Sequence, residues 1–326
     1  MNPAALTGNT LAVGARDSQD ETIAVGRTQA RAILGAGSKS FALAGALLGR
    51  VVRDDAAVLY AWCRLADDLI DDTPEHAQSA SLAQLHAQLD IVYGDRKTFP
   101  TPLLAAMHEL VLRTGIPRAY PEALVEGFVM DATGYVYRNC DDLDLYAYRV
   151  AGVVGLMMCH VMGVKDDRCL KQAVHLGMAM QFTNICRDVA EDWRRGRLYL
   201  PNSLLRSGST LRPGDPLMPS DQDVFTPAAA SLYERAELYY RSGEKGLRGL
   251  GWRSAVAIGA AMRIYRAIGR KIARRHHQVL RGRTVVSTPH KVVLLLFSLA
   301  SGLSDLPRRW FAPKQGVSYE DVEIHS

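Results

Sequence analysis

Apolar residues recur every three to four positions along most of the chain, and no convincing alternation of apolar and polar residues interrupts them. That spacing places apolar side chains on one face of an α-helix. Proline, glycine and aspartate end the periodic segments, for example in Asp72-Thr73-Pro74 and Gly115-Ile116-Pro117. The pattern predicts an all-α fold with helices at about 29–48, 53–71, 79–93, 101–114, 120–132, 142–162, 166–191, 226–249, 252–280 and 288–303.

The helical segments form one continuous series with no linker between two independent patterns. The chain has 326 residues, of which 48% are hydrophobic, so one large core can form. We therefore predict a single domain over residues 27–310, followed by a C-terminal tail at 311–326. Residues 1–26 are polar and aperiodic and lack the basic start and apolar core of a signal peptide, so a disordered arm is expected there.

Cysteine usage and hydropathy indicate a cytoplasmic protein. The five cysteines are odd in number and contain no CxxC pair, which is typical of reduced thiols in a packed core. No stretch reaches the roughly 18 to 20 apolar residues that a membrane span requires. We therefore expect a cytoplasmic protein that contacts membranes, if at all, at the inner face and peripherally.

Acidic residues occur at helical spacing inside two apolar segments. Asp67 and Asp71 lie one turn apart in the first segment, and Asn184, Asp188 and Asp192 form a stripe of two turns in the second. A solvated acidic face is the alternative for either segment alone. Acidic residues in an otherwise buried helix need partners, however, and this favours a hard divalent cation. Mg²⁺ typically takes one or two carboxylates together with phosphate oxygens, so two such faces across a cavity would grip a diphosphate.

Several motifs together resemble the squalene/phytoene synthase family. Gly177 to Pro201, with its QxxNxxRD core and RLYLP end, resembles one family signature, and Tyr146 to Gly155 resembles the other. SKSF at Ser38 to Phe41 and YAWCRLADDLIDD at Tyr60 to Asp72 resemble the N-terminal portion. The resemblance extends from about Ala32 to about Lys291, and within the family it is strongest to the bacterial phytoene synthases.

The resemblance implies an isoprenoid (terpenoid) synthase fold with a central apolar cavity. It implies a head-to-head condensation of two geranylgeranyl diphosphates to phytoene through a cyclopropyl diphosphate, with release of two diphosphates. The implied cofactors are several Mg²⁺ or Mn²⁺ ions bound with the diphosphates. No nicotinamide is expected, because no GxGxxG follows a strand.

The residues and the resemblance together give a set of candidate site residues. The metal ligands are expected to be Asp67, Asp71, Asn184, Asp188 and Asp192, and the catalytic set to be Asp67, Asp71, Asp188, Asp192, Arg64 and Arg187. The diphosphate-binding set is expected to be Ser38, Lys39, Ser40, Tyr60, Arg64, Gln181, Asn184, Arg187, Tyr265 and Arg283. Released diphosphate, Tyr60, Tyr146 and Tyr265 are the candidate proton acceptors.

Small residues are dense at several helix positions, where they either allow close helix packing or leave room for a long apolar ligand. By the same resemblance, family members that use shorter substrates look bulkier in this region. Gly45 and Ala57 in place of large residues therefore favour a longer cavity. The cavity is expected to be lined by Phe41, Gly45, Ala57, Tyr146, Val150, Val154 and Gly155.

Three alternatives differ from this interpretation. One is squalene or dehydrosqualene synthesis from farnesyl diphosphate within the same family. A second is a single-substrate terpene cyclase, which the combined QxxNxxRD and RLYLP motifs argue against. The third is a non-catalytic helical scaffold descended from such an enzyme. Such a scaffold would be expected to have lost residues from the two acidic ladders, the one around Asp67 and Asp71 and the one formed by Asn184, Asp188 and Asp192.

The net charge of +5 arises largely late in the chain, where Arg263 to Arg283 is rich in arginine. A solvated helix face is one interpretation, and contact with anionic lipid is the other. Nucleic-acid binding is not expected, since no recognition motif accompanies the charge. The expected partners are geranylgeranyl diphosphate, an anionic membrane surface bound reversibly through this stretch or through Val292 to Leu303, and other carotenoid enzymes.

Overall fold

The computed structural model describes residues 4–164, 166, 168–205 and 211–304 and contains no β-strand within them. The all-α fold expected from the periodicity is confirmed. The α-helices are Ala4–Gly37 (α1), Lys39–Gly45 (α2), Arg50–Asp71 (α3), Gln78–Tyr93 (α4), Pro102–Thr114 (α5), Ala119–Ala132 (α6), Cys140–Ala147 (α7), Val153–Val161 (α8), Arg168–Arg194 (α9), Gln222–Gly246 (α10), Trp252–Arg274 (α11) and Thr288–Ser304 (α12).

The N-terminal region differs from the sequence expectation in two ways. Helix α1 begins at Ala4, where a disordered arm over residues 1–26 was expected, and α1 packs against α3 and α5. The helix expected at 29–48 is broken at Ser38, whose extended backbone and side chain cap α2 by accepting a hydrogen bond from the Phe41 amide. Residues 1–3 and the expected tail at 311–326 lie outside the described residues.

Charge pairs fasten α1 to the rest of the bundle. The Asp55 side chain on α3 is 1% exposed and accepts from Arg27 of α1 at 2.9 Å and Arg113 of α5 at 2.6 Å. Arg27 also binds Glu109 of α5 at 2.5 Å. A buried carboxylate needs such partners, so these pairs fix how the three helices sit together.

Two predicted helices are irregular in the structure. The segment expected at 142–162 is continuous, but a π-helical turn at Tyr148–Gly152 joins α7 to α8. The segment expected at 252–280 ends at Arg274, because His276 and His277 adopt positive φ angles of 53° and 56°. Positive φ is incompatible with a continuing right-handed helix.

The hydrophobic core has two large parts. One is formed mainly by α1, α3, α4, α5, α6 and α8 around Trp62, Leu89 and Met107. The other is formed mainly by α7, α9, α10 and α11 around Phe182, Trp193 and Phe225. The first acidic ladder lies on α3 and the second on α9, so each part of the core carries one ladder.

Helix α12 packs against α11 as an outer layer. None of the helices within the described ranges is both long enough and apolar enough to cross a bilayer. Within the described ranges the five cysteines form no disulfide; Cys159, Cys169 and Cys186 are buried, and Cys63 and Cys140 are half-buried. The expected core position therefore holds for three of the five cysteines.

Candidate functional site

A cavity of about 650 Å³ separates the two parts of the core. Its inner portion is apolar and is bounded by residues such as Leu48, Val154 and Ala261. Its outer portion is lined by charged side chains from α3, from α9 and from the segments that follow them. A deep apolar chamber with a charged mouth suits a ligand that has a long hydrocarbon tail and an anionic head.

The first ladder reaches the cavity as its spacing predicts. Tyr60, Arg64, Asp67 and Asp71 all line it from α3. Arg64 donates to Asp68 at 2.5 Å and lies 3.7 Å from Asp67. The arginine is exposed and lies among the carboxylates of its own helix.

The second ladder faces the first from α9, where Gln181, Asn184, Arg187, Asp188 and Asp192 line the same cavity. Asn184 donates to Gln181 at 3.3 Å, while the buried Asn184 Oδ1 has no hydrogen-bond partner among the described residues. A buried amide oxygen without a donor is costly, so its position indicates an acceptor that awaits a ligand.

Arginines bridge the carboxylates across the cavity. Asp71 accepts from Arg197 at 2.6 Å and from Arg195 at 3.4 Å, both of which follow α9 in the chain. Asp188 pairs with Arg187 and lies 3.2 Å from Arg283. The two ladders, far apart in sequence, are therefore linked in space by ion pairs.

The remaining carboxylates are less well compensated. Burial, followed by repulsion from Asp71, raises the pKa of Asp67 to about 7. Burial, followed by repulsion from Asp188, raises the pKa of Asp192 to about 7 as well. Each ladder thus holds one carboxylate whose negative charge lacks an adequate counter-charge in the protein alone.

Aromatic side chains form the wall between the charged and apolar portions. Phe41 stacks on Tyr265 with ring centroids 5.3 Å apart and meets the edge of Tyr60 at 6.1 Å. The pKa of Tyr265 is raised by burial, and the nearby Arg187 opposes that shift. The predicted residues Tyr60, Tyr265 and Arg283 all line the cavity.

Ser38, Lys39 and Ser40 of the SKSF segment lie outside the cavity lining, whereas Phe41 belongs to it. Ser38 caps α2, Lys39 is exposed, and Ser40 is half-buried. Burial lowers the pKa of Lys291, and electrostatic repulsion from Lys39 and Arg187 lowers it further. These cations therefore lie near one another, and the sequence interpretation missed Lys291 because it is an isolated lysine before an apolar run.

Six of the seven residues expected to line the apolar portion do so: Phe41, Gly45, Tyr146, Val150, Val154 and Gly155. The prediction for Ala57 is wrong. Ala57 is fully buried in the core around Trp62, and the neighbouring Ala56 lines the cavity instead. Consecutive helix residues point about 100° apart, so an error of one position turns a wall residue into a core residue.

The small residues at the cavity serve two different purposes. A Cβ added at Gly45 would meet nothing within 4 Å, so Gly45 leaves open space. A Cβ at Gly155 would lie 2.5 Å from the Ala173 carbonyl oxygen, and one at Gly177 would clash with the Ala151 carbonyl. Gly155 therefore allows α8 to approach α9, and Gly177 allows α9 to approach the π-helical turn, so both glycines serve close packing.

Asp131 is a cavity residue that the sequence interpretation missed. It lies near the end of α6 and accepts from Tyr199 at 2.7 Å and from Tyr146 at 3.0 Å. Burial raises its pKa to about 6. The available signal was a single acidic residue after the apolar run Phe128-Val129-Met130, but one residue has no spacing pattern to set it apart.

The donor set fits a hard divalent cation. It offers carboxylates with raised pKa values on facing helices and the unsatisfied amide oxygen of Asn184. Within the described ranges, no three His, Cys, Asp or Glu side chains are close enough to hold an ion by themselves. Any ion would therefore need oxygens from a ligand or from water, as is usual for Mg²⁺.

Comparison with known proteins places this geometry in context. Residues 34–290 match the model of a family described as squalene/phytoene synthase. The chain is 42% identical over 265 residues to a 15-cis-phytoene synthase from a Paracoccus species, covering 79% of this chain and 86% of that protein. It is 40% identical over 268 residues to a 15-cis-phytoene synthase from Enterobacter agglomerans, covering 80% and 90%.

Solved structures give the same picture. The crystal structure of a dehydrosqualene synthase in complex with a ligand superposes with a TM-score of 0.77 at 28% identity, covering 88% of this chain and 99% of that one. A squalene synthase from Alicyclobacillus acidocaldarius superposes with a TM-score of 0.69 at 22% identity, covering 78% and 95%. The second likeness, at that identity, concerns the fold alone.

The raised pKa of Asp67 predicts a pH-dependent stability in chelator-treated protein. An unfolded aspartate has a pKa of about 3.9, whereas that of folded Asp67 is about 7. Between these values the folded state keeps a proton that the unfolded state has lost, so stability falls as pH rises. Asp67→Asn removes this titration, and its melting temperature should fall less than that of the wild type between pH 4 and 7.

Scanning fluorimetry across that range provides the measurement. Asp95→Asn changes an exposed carboxylate outside the cavity lining and serves as the matched control, which should follow the wild-type profile. Parallel profiles for the wild type and Asp67→Asn would contradict the assignment.

Proposed function

The chain belongs to the squalene/phytoene synthase family and is a prenyltransferase, and we propose that it joins two molecules of geranylgeranyl diphosphate head to head to give 15-cis-phytoene. The observation that carries the proposal is the pair of facing acidic ladders at the mouth of a long apolar cavity. The names of the relatives at 38–42% identity favour phytoene as the product.

We propose that Asp67, Asp71, Asn184, Asp188 and Asp192 hold Mg²⁺ or Mn²⁺ together with substrate diphosphate. Such ions, when bound, would neutralise the charge of the diphosphate that leaves. The raised pKa values of Asp67 and Asp192 and the unsatisfied Asn184 oxygen support this role. In the absence of ions, arginines already offset part of the same charge.

Arg64, Arg187 and Arg283 are suited to bind diphosphate oxygens through charge-assisted hydrogen bonds. Arg64 lies 3.7 Å from Asp67, and Arg187 and Arg283 both pair with Asp188. All three arginines line the cavity, which supports this role. These groups would favour cleavage of the C1–O bond of one substrate, because they stabilise the negative charge that develops on the leaving group. Lys39 and Lys291 are placed to add long-range attraction for the incoming anion.

The apolar wall would protect the allylic cation that ionisation leaves. The double bond of the second substrate attacks that cation, and loss of a proton closes the cyclopropyl diphosphate. Ionisation of this intermediate, rearrangement and a second proton loss give the central triene. Water would quench each cation, so the enclosed side of the cavity near Phe41 and Val154 has to exclude it.

The proton acceptor is proposed to be released diphosphate or a tyrosine at the wall. Tyr60, Tyr146 and Tyr265 all line the cavity. Tyr146 is distinguished by its hydrogen bond to Asp131, which could take up a proton that passes through the hydroxyl.

The alternatives are less well supported. A squalene or dehydrosqualene synthase would need room for only a C15 chain, whereas Gly45 leaves the cavity open. A non-catalytic scaffold has no reason to keep both ladders, and here all ladder residues named above as metal ligands line the cavity. No nicotinamide is proposed to take part in the reaction.

We also propose peripheral, reversible contact with the inner face of an anionic membrane, and exchange of product with other carotenoid enzymes. The C40 hydrocarbon needs an apolar destination. The arginine-rich stretch is not wholly free to provide the contact, because Arg266 binds Glu237 at 2.6 Å and Arg263 donates to Ser298 at 3.1 Å. Another surface therefore has to supply much of the adhesion.

The direct test is product analysis. Purified protein is incubated with geranylgeranyl or farnesyl diphosphate and Mg²⁺ or Mn²⁺, with and without NADPH, and the hydrocarbon is identified by chromatography. We expect 15-cis-phytoene from the C20 substrate without NADPH. Squalene or dehydrosqualene as the preferred product would replace the proposal with the alternative.

The metal role predicts a matched loss of binding and turnover in Asp188→Ala. Turnover should fall at least ~100-fold, because the site loses a charged group that acts at the leaving diphosphate. The rise in melting temperature that Mg²⁺ and inorganic diphosphate produce together in the wild type should shrink in the variant. Asp90→Ala, at an exposed α4 carboxylate, is the control. A full Mg²⁺-dependent shift in Asp188→Ala would exclude this residue as a ligand.

The open space at Gly45 predicts a change in chain-length preference. Gly45→Phe should reduce turnover of the C20 substrate more than that of the C15 substrate, since the ring would occupy ligand volume. Gly35→Phe, where a side chain also meets open space but on α1 outside the cavity lining, should leave the ratio unchanged. Equal losses on both substrates in Gly45→Phe would show that Gly45 does not limit chain length.

Ala57→Trp should instead lower the melting temperature, since overpacking costs about 1–3 kcal/mol.

A further inference from the structure

The outward face of α12 is wholly apolar over three turns. From Val292 to Leu303, every exposed side chain is apolar. Val293, Leu296 and Phe297 are 60%, 57% and 60% exposed. A contiguous apolar patch of this kind on a protein surface marks an interaction site.

The inward face of the same helix is firmly attached. Leu295 packs against Ala44, Ala260 and Ala261, and the buried Ser298 accepts from Arg263 at 3.1 Å. Near its end, the Gly302 carbonyl accepts from the Trp252 indole at 2.9 Å. The apolar residues therefore face outward because the other side of the helix is already packed.

The stretch of sequence that contains this face is strongly basic, although Glu237 and Glu244 of α10 pair with Arg266. No Asp or Glu occurs from Lys245 to Ser304, whereas twelve Lys and Arg do. Arg263 lies over the Phe297 ring at 5.4 Å, and Lys271 donates to the carbonyl of Val285, which is itself 58% exposed. Apolar side chains bordered by cations match a surface with an apolar interior and an anionic rim.

The face also lies close to the cavity. Ala44 and Ala261, against which Leu295 packs, line the apolar portion of the cavity. At the other end of α12, Lys291 lies near Lys39 and Arg187 beside the mouth. Helix α12 is thus a thin layer between the hydrocarbon-binding space and the exterior.

We infer that the face formed by Val292, Val293, Leu296, Phe297 and Leu303 rests in the interfacial layer of an anionic lipid bilayer. This inference rests on the proposed function, because a C40 hydrocarbon formed behind α12 has to enter an apolar phase. A second copy of the chain is a poorer occupant, since a two-fold contact would bring the basic residues of both copies together. The helix would lie in the plane of the membrane and not cross it.

The test is co-sedimentation of the full chain with phosphatidylcholine vesicles, with and without phosphatidylglycerol. The double variant Val293→Asp/Leu296→Asp places charges on the face without touching the packed side. Its partitioning onto phosphatidylglycerol vesicles should fall at least ~10-fold, because two apolar side chains no longer gain from burial. Leu112→Asp, at a 70% exposed position on α5, is the matched control and should bind as the wild type does. Binding by the wild type should be weaker to vesicles of phosphatidylcholine alone.

Three outcomes would overturn the inference: a wild-type chain that ignores both vesicle types, a double variant that binds as well as the wild type, or a wild-type dimer that the double variant converts to a monomer. The last would show that a second copy covers the face.

A parallel assay in detergent with geranylgeranyl diphosphate separates this inference from the proposed function. Absence of phytoene there would refute the function, whereas loss of vesicle binding with full detergent activity would concern α12 alone.

Discussion

The central constraint on this structure is the repulsion between carboxylates that line a single cavity. Asp67, Asp71, Asp131, Asp188 and Asp192 all border the cavity, and an apolar core stands behind each side. Arginines from the segments after α9 and α11 partly offset this charge, and the ion pair between Asp71 and Arg197 joins the two sides directly. The compensation is incomplete, since Asp67 and Asp192 keep pKa values raised to about 7, and the proposed binding of cations at the mouth would complete it.

The helical period explains why so much could be predicted from the sequence. Spacing of four residues places Asp67 and Asp71 on one face of α3, and the structure shows both at the cavity. Spacing does not show which helices face each other. The expectation that the two acidic helices meet across one cavity came from the fold that the family resemblance implies. Asp131 shows the limit, because its importance comes from hydrogen bonds with Tyr146 and Tyr199 that only the folded chain brings together.

The errors also have physical causes. Small residues gave the same signal whether they open space or allow close packing, and the difference between Gly45 and Gly155 appears only when neighbouring helices are in place. Ala57 and Ala56 differ by one step on α3, and the boundary between core and cavity runs between them. The start of α1 was missed because its anchor, Arg27 with Asp55 and Glu109, is a long-range contact.

The π-helical turn at Tyr148–Gly152 has a consequence for how this cavity can change over evolution. Such a turn holds one more residue than an α-helical turn, so the helix accommodates an extra residue there without breaking. Loss of a single residue there would rotate α7 relative to α8 by about 100°. Tyr146 would leave Asp131, while Val154 and the rest of α8 kept their places against α9. One codon gained or lost at this turn can therefore reshape the wall on one side of the site while the ladders on α3 and α9 remain intact.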